Sequence, residues 1–136
     1  FFHPHPAIPD PLWSRGLGDV YKRQVDDICD TAGTLCKAAE VLIDNGASEV
    51  HSYITHGVLS GPAVERITNS VMKSLVISDS IEATKAVKEA KNIRIVPSAP
   101  MFAQAILNIW SGTSVSSLFE TDTLEPIYDG LFKFTD

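Results

Sequence analysis

The chain has 136 residues, of which 44% are hydrophobic, and its formal net charge at pH 7 is −6. This size and composition fit one compact domain with a substantial core, and the negative total offers no basic surface to nucleic acid or anionic lipid. No apolar run approaches the roughly 18 residues that a membrane helix needs, and the start lacks the order of a signal peptide. We therefore expect a cytoplasmic chain with neither nucleic acid nor a membrane as partner.

The first 24 residues differ from the rest of the sequence. Four prolines remove ladder donors and helix continuity, and no apolar periodicity replaces them: Pro4, Pro6, Pro9 and Pro11. We expect residues 1–24 to be extended or disordered, and ordered structure to begin at residue 25.

Helical and strand patterns alternate from residue 25 onward. Apolar residues at helical spacing predict a helix over 34–45, which Asn45 and Gly46 end. The later elements are, in chain order, a strand over 49–55, a short helix near 62–69, a strand over 74–78, a helix over 82–91, a strand over 92–97 and a helix over 101–110. This alternation predicts an α/β fold with a parallel sheet covered on both faces. The tail over 120–136 is acidic and has too little periodicity to predict an element.

The stretch VDDICDTAGT, residues 25–34, places three acidic side chains directly before a turn of small residues. Ligands of parallel sheets bind beyond the carboxyl ends of the strands, and a loop that leads into a helix there offers free N–H groups to an anion. Gly33 permits a tight backbone, Thr31 and Thr34 add hydroxyl groups, and Ala32 leaves the approach open. This composition suits a phosphate.

The acidic residues suit a different part of the same ligand. Asp26 and Asp27 lie just upstream, where carboxylates can accept hydrogen bonds from sugar hydroxyls. An acidic turn that caps the helix through Asp30 or Thr31 explains the same residues, and composition alone favours neither interpretation. Cys29 and Cys36 lie seven apart without further metal ligands nearby, so we expect reduced, buried or half-buried thiols.

Longer stretches carry a resemblance to a known family. VDDICDTAGT resembles the ribose-phosphate loop that type I phosphoribosyltransferases share with ribose-phosphate diphosphokinases, the phosphoribosyl pyrophosphate synthetases. Three further stretches resemble the synthetases in particular: LCKAAEVLIDNGASEVHSYITHGVLSGPAVERI at 35–67, APMFAQAI, and SVSSLF at 114–119. The resemblance spans residues 25–119 and implies a phosphoribosyltransferase-like domain.

The resemblance implies transfer of diphosphate from Mg²⁺-ATP to ribose 5-phosphate, which gives phosphoribosyl pyrophosphate for nucleotide biosynthesis. It places Asp26 and Asp27 on the ribose hydroxyls and Asp30 at the rim. Four residues would surround the 5-phosphate: Thr31, Ala32, Gly33 and Thr34. Three others match a family site for phosphate or ADP between subunits: Ser114, Ser116 and Phe119. A plain turn between a helix and the tail explains SVSSLF equally well.

The sequence also departs from the family pattern. The residues before the acidic pair are GDVYKRQ, where the family has an apolar strand, and Lys22, Arg23 and Gln24 do not suit a strand buried on both faces. We therefore expect residues 1–24 to be foreign to the family. The N-terminal half that would supply most ATP contacts and the Mg²⁺ ligands is absent. We therefore expect an incomplete domain that is inactive alone, and we predict no catalytic residue in this chain.

Three functions stay open at this point. The chain is the C-terminal half of a synthetase, a non-catalytic regulatory subunit that assembles with active homologues, or a true phosphoribosyltransferase. A homo-oligomer or hetero-oligomer with synthetase subunits is expected in the first two cases. His56, in the THG stretch at 55–57, is more simply explained as a turn residue than as a site residue.

Overall fold

The fold is described from a computed structural model, and the structure describes residues 22–128. These residues form two compact units, which divide between Val96 and Pro97. The predicted boundaries of a 25–119 domain and a 120–136 tail stay predictions.

The first unit is a parallel sheet with helical crossovers. Its elements are, in chain order, β1 (Lys22–Cys29), α1 (Gly33–Asp44), β2 (Val50–Gly57), α2 (Ala63–Thr68), β3 (Ser74–Ser78), α3 (Lys85–Glu89) and β4 (Ile93–Val96). The strands lie side by side in the order β1-β2-β3-β4, and each neighbouring pair is parallel. The predicted α/β class with a parallel sheet is confirmed.

The core of this unit lies on one face of the sheet. Along β2 the buried residues are Val50, Ser52 and Ile54, and they alternate with more exposed ones, as the two-residue period of a strand requires. Val50, Ile54 and Ile77 belong to one cluster of buried residues that also includes α1 and α2 positions. Within this unit, the expectation of a sheet covered on both faces is therefore wrong, because the alternate residues of β2 stay accessible.

The strand β1 was not predicted. Lys22, Arg23 and Gln24 form its first part, although we expected polar residues here to lie outside a doubly buried strand. That argument does not apply, because β1 is at the edge of the sheet and most of its side chains are exposed. An edge strand accepts polar side chains without the cost of desolvating them.

The helix α3 is shorter than the sequence predicted. It begins after Thr84, whose side-chain oxygen accepts a hydrogen bond of 3.4 Å from the N–H of Val87. Threonine is a favourable N-cap because its hydroxyl satisfies a free N–H of the first turn. The predicted start at residue 82 is therefore too early.

The second unit contains α4 (Ala99–Ser111), a 3₁₀ turn (Ser116–Phe119) and α5 (Thr121–Tyr128). The helix α4 ends at Gly112, which has a φ of 71° and so provides the left-handed end that glycine tolerates best. The helix α5 was not predicted, because Pro126 lies inside it and the flanking pattern is weakly periodic. Residues 129–136 and 1–21 lie outside the described residues.

Candidate functional site

The strands β1 and β2 end side by side at the carboxyl edge of the sheet. Cys29 pairs with Gly57 at the end of the parallel ladder. Beyond it, the N–H of Leu59 donates to the carbonyl oxygen of Cys29, and the N–H of Ser60 donates to that of Asp30, each at 3.1 Å. The loop after β2 therefore supports the loop after β1, at the edge where parallel sheets bind ligands.

The loop between β1 and α1 is bent. Ala32 has a φ of 59° and a ψ of 5°, and α1 begins only at the next residue. This is the left-handed region, which non-glycine residues seldom adopt. The sequence led us to expect that Gly33 would provide the tight backbone, but Gly33 is not among the residues with positive φ. Ala32 makes the bend instead.

Side chains from the neighbouring loop and helix hold this bend. Arg66 of α2 donates from Nη1 to the carbonyl oxygen of Thr31 at 2.9 Å, and the hydroxyl of Ser60 donates to Oδ1 of Asp30. The guanidinium also lies beside Gly33, since a Cβ placed there would be 3.8 Å from Nη1. The bend is thus fixed by contacts from outside the loop as well as by its own sequence.

Most backbone N–H groups of this loop donate no hydrogen bond within the described residues. Those of Thr31, Gly33 and Thr34 make no hydrogen bond to any group within residues 22–128, as expected for the start of a helix, where no preceding turn supplies acceptors. Together with the positive end of the α1 dipole, they form a region that favours an anion.

The N–H of Ala32 is the exception, since it faces the sulfur of Cys29. Burial raises the pKa of the Cys29 thiol, the nearby Cys36 raises it further, and the Ala32 N–H lowers it. Burial also raises the pKa of Cys36, against a hydrogen bond from Ser70. Both cysteines are buried and free, which confirms the expectation of unpaired, buried thiols. A raised pKa makes them poor nucleophiles at neutral pH.

Two depressions flank the loop and share Thr31, Gly33 and Thr34. The first is completed by Cys36, Lys37 and Arg66, so it carries two cationic groups. The second is acidic and is completed by Gln24, Asp26, Ile28, Cys29, Asp30, Ala32 and Leu35. The shared residues therefore have positive charge on one side and carboxylates on the other.

The two aspartates of β1 differ in position. Asp26 lines the acidic depression and Asp27 does not. They are neighbours on a strand, so their side chains leave opposite faces of the sheet, and Oδ1 of Asp26 accepts a hydrogen bond of 2.9 Å from the N–H of Asp27. The structure thus brings Asp26 and Asp30 together with residues 31–34, and leaves Asp27 outside this group.

The predicted regulatory residues lie in the second unit. The hydroxyl of Ser114 accepts a hydrogen bond of 3.2 Å from the N–H of Ser116, which is a local turn contact. The carbonyl oxygen of Ser114 accepts from Nδ2 of Asn108 at 2.9 Å and from the hydroxyl of Ser117 at 2.8 Å. Phe119 is 89% exposed. A turn is present, and the regulatory role stays a prediction.

The sequence analysis gave no role to Ser60, Arg66 or Lys37, which the structure places around the loop. The position of Ser60 could have been predicted, because the loops that follow two neighbouring parallel strands lie at the same edge of the sheet. Which turn of α1 and α2 faces that edge depends on helix packing, so the positions of Lys37 and Arg66 could not be read from spacing alone.

Comparison with known proteins defines the class of this molecule. The family model of the phosphoribosyl synthetase-associated domain matches residues 16–120. The chain therefore belongs to this family. The matched range begins inside the segment 1–24 that the sequence analysis assigned outside the family.

Individual relatives carry a more specific name. Ribose-phosphate pyrophosphokinase of Cereibacter sphaeroides is 84% identical over 109 residues, which cover 80% of the chain and 32% of that protein. The enzyme of the same name from Rhizobium meliloti is 55% identical over 96 residues, or 71% of the chain and 31% of that protein. The chain thus spans about a third of the length of the curated relatives it matches.

A solved structure supports the fold. The crystal structure of phosphoribosylpyrophosphate synthetase from Mycobacterium smegmatis superposes with a TM-score of 0.64 at 27% identity, over 71% of the chain and 32% of that structure. The sheet described above is consistent with a phosphoribosyltransferase-like fold. Among residues 22–128, no helix is long and apolar enough to cross a membrane.

Proposed function

We propose that this chain is the ribose 5-phosphate-binding part, the C-terminal half, of a ribose-phosphate pyrophosphokinase. The observation that carries the proposal is the bent loop at residues 30–34, where the N–H groups of Thr31, Gly33 and Thr34 donate no hydrogen bond within residues 22–128. Lys37 and Arg66 beside it add positive charge where a dianionic phosphate would bind. The 84% identical relative of that name supports the assignment.

Each part of the sugar phosphate has a proposed partner. The N–H groups of Thr31, Gly33 and Thr34 bind the 5-phosphate, and Ala32 holds the bend that presents them. Carboxylate oxygens accept hydrogen bonds from the ribose hydroxyls. Asp26 is the better placed of the acidic pair, because it shares a depression with the loop, and Asp27 has a smaller role. Asp30, held by Ser60, forms the rim.

The proposed reaction transfers the terminal diphosphate of ATP. The 1-hydroxyl oxygen of ribose 5-phosphate bonds to the β-phosphorus, the bond from that phosphorus to the bridging oxygen of AMP breaks, and the hydroxyl proton is released. This chain binds and orients the acceptor sugar, and positioning is a large part of catalysis in such transfers. The ATP contacts belong to the remaining length of the protein.

Magnesium stays an expectation from the family resemblance. The part of the chain that the structure describes contains no group of three or more His, Cys, Asp or Glu side chains placed to hold a metal ion. These residues do not fit a magnesium site of their own.

Regulation and assembly complete the proposal. Ser114, Ser116 and Phe119 would contribute to a site for ADP or phosphate between synthetase subunits, in a homo-oligomer or hetero-oligomer. The ring of Phe119 is 89% exposed, so it is accessible for such a contact.

Calorimetric titration of the folded chain with ribose 5-phosphate tests the proposal. The wild type should bind. Gly33→Val should abolish measurable binding, because a branched side chain would stand where the phosphate approaches the backbone. Asp30→Ala should weaken it, and Asp44→Ala, the same change at the far end of α1, is the matched control and should not. No heat from a folded wild-type chain would reject the proposal.

The family description, a synthetase-associated domain, favours one further candidate. The chain would then be a non-catalytic regulatory subunit that joins active synthetase subunits. Co-purification with such subunits, together with no affinity for ribose 5-phosphate, would support this second function over the first.

A further inference from the structure

Four consecutive carbonyl oxygens, at the end of β1 and in the loop before α1, each accept a hydrogen bond. Those of residues 29–32 receive it, in chain order, from the N–H of Leu59, the N–H of Ser60, Nη1 of Arg66 and the N–H of Cys36. By contrast, the N–H groups of Thr31, Gly33 and Thr34 donate no hydrogen bond within residues 22–128. The loop therefore has its acceptors occupied and most of its donors open, which is the arrangement that an anion requires.

The carbonyl oxygen of Thr31 differs from the other three, because its donor is a side chain. Nη1 of Arg66 lies 2.9 Å from it, whereas the other three donors are backbone N–H groups. Arg66 is exposed on the short helix α2, and it lines the cationic depression together with Thr31 and Gly33. A substitution can thus remove this one hydrogen bond inside the candidate site without changing a buried side chain.

The hydrogen bond acts on the peptide group between Thr31 and Ala32, where the loop bends. The carbonyl oxygen of this planar group is held by Arg66, and its N–H faces the sulfur of Cys29, so both ends are fixed. A carbonyl oxygen carries partial negative charge, and an unpaired one beside the open amides would repel a phosphate. A guanidinium has five N–H groups, so one nitrogen can hold this oxygen while the group adds positive charge to the depression.

We propose that Arg66 is a positioning residue of this loop, and that it acts on the bound phosphate through the carbonyl oxygen of Thr31. The inference rests on the proposed function, which places a phosphate at the open N–H groups. Lys37 lines the same depression, but the side-chain hydrogen bond to the loop carbonyl comes from Arg66. The two cations therefore have different roles: Arg66 determines the shape of the loop, and Lys37 supplies charge.

Two variants that each remove one positive charge from the depression test this difference. In the folded, isotope-labelled chain without ligand, Arg66→Gln should move the carbonyl ¹³C signal of Thr31 and the amide ¹⁵N signal of Ala32, which belong to the same peptide group. Lys37→Gln is the matched control and should leave both signals in place. Unmoved signals in Arg66→Gln would overturn the inference, because Arg66 would then not hold this peptide group.

Calorimetry with inorganic phosphate measures the consequence for binding. Arg66→Gln should weaken phosphate about ten-fold, because a hydrogen bond from a charged group and the shape of the loop are lost together. Lys37→Gln should weaken it less than about five-fold, as expected for one exposed charge. Equal losses in the two variants would overturn the inference, because charge alone would then account for the effect of Arg66.

Arg66→Lys keeps the charge but changes the hydrogen-bond geometry. Its affinity for phosphate should follow the signals of Thr31 and Ala32, so that both stay at their wild-type values or both change. An affinity that stays while the signals move, or that falls while the signals stay, would show that the carbonyl contact does not govern binding.

Ribose 5-phosphate separates this inference from the proposed function. If the folded wild type binds inorganic phosphate but not ribose 5-phosphate, the proposed function fails, and the phosphate affinities of the variants still decide the role of Arg66. If the wild type binds ribose 5-phosphate and Arg66→Gln binds it as tightly as Lys37→Gln does, the inference fails while the proposed function stands. If the folded wild type binds neither probe, both are wrong.

Discussion

The neighbouring strands β2 and β1 are stabilised in different ways. On β2, Val50 and Ser52 are 0% exposed and Ile54 is 4% exposed, whereas on β1 Val25 is 79% exposed and Ile28 is 54% exposed. The strand β1 is joined to the sheet mainly by its ladder with β2. The candidate site begins at the end of this lightly packed strand, so its geometry depends on backbone pairing and on contacts from the loop after β2.

The largest loss of stability should follow a change in the buried strands beside β2. Leu75→Ala on β3, next to β2, should lower the free energy of unfolding by about 2–5 kcal/mol, because it leaves a cavity at a fully buried position. Val25→Ala should change it by no more than about 0.5 kcal/mol. Urea denaturation of both variants measures the difference. Equal losses would mean that β1 is packed as well as β3.

Gly57→Ala tests the end of β2 where it meets β1. A Cβ at this position would lie 2.8 Å from Cδ1 and 3.0 Å from Cγ2 of Ile77. Several atoms of one buried side chain would have to move, so we expect a loss of about 1–3 kcal/mol, as for other overpacked cores. Thermal unfolding measures it, with Gly61→Ala as a contrast, since Gly61 has a φ of 55° but open space around it. An unchanged melting temperature for Gly57→Ala would contradict the close contact.

Ser52 on β2 and Ser78 at the end of β3 are expected to contribute to stability with opposite sign. Oγ of Ser52 and Oε1 of its ladder neighbour Gln24 are buried without a hydrogen-bond partner among the described residues. Ser52→Ala should therefore be neutral or stabilising, by at most about 1 kcal/mol, because it removes an unpaired buried group. Ser78→Ala should destabilise by about 0.5–1.5 kcal/mol, because it removes the bond to Thr55. The opposite order in chemical denaturation would show that Ser52 has a partner.

The smallest effect concerns pH at the start of the β1–β2 pair, where the N–H of Lys22 donates to the carbonyl oxygen of Glu49 at 2.8 Å. Hydrogen bonds from Lys73, at 3.0 Å, and from His51 lower the pKa of the Glu49 carboxyl. The folded value lies below the unfolded one, so the stabilisation is present above the ordinary pKa of glutamate and is lost as the pH falls through the lowered value. Glu49→Gln should remove this part of the acid-side slope. An identical slope would contradict the contact.

The regular elements of the packed core could be predicted from the sequence. The strand predicted over 74–78 is confirmed at Ser74–Ser78, and the helix predicted over 101–110 is confirmed at Ala99–Ser111. These segments have unmistakable apolar runs or helical periodicity with a glycine stop. Their identity follows from local pattern, because burial of that pattern is what stabilises them.

The candidate site could be predicted only in part. The loop at residues 30–34 was located by its composition, but the residue with positive φ proved to be Ala32. Polar residues 22–24 were excluded from the sheet because nothing local marks a strand as an edge strand. The support from Ser60 and Arg66 depends on which elements meet in space, which a single sequence does not specify.

The central claim is that the amides at the start of α1 bind the phosphate of a sugar. The most direct measurement is a titration of the ¹⁵N-labelled chain with ribose 5-phosphate, followed by amide chemical shifts. Saturable shifts should concentrate at Thr31, Gly33 and Thr34, and inorganic phosphate should move the same signals. Shifts elsewhere, or none at these residues in a folded chain, would contradict the account.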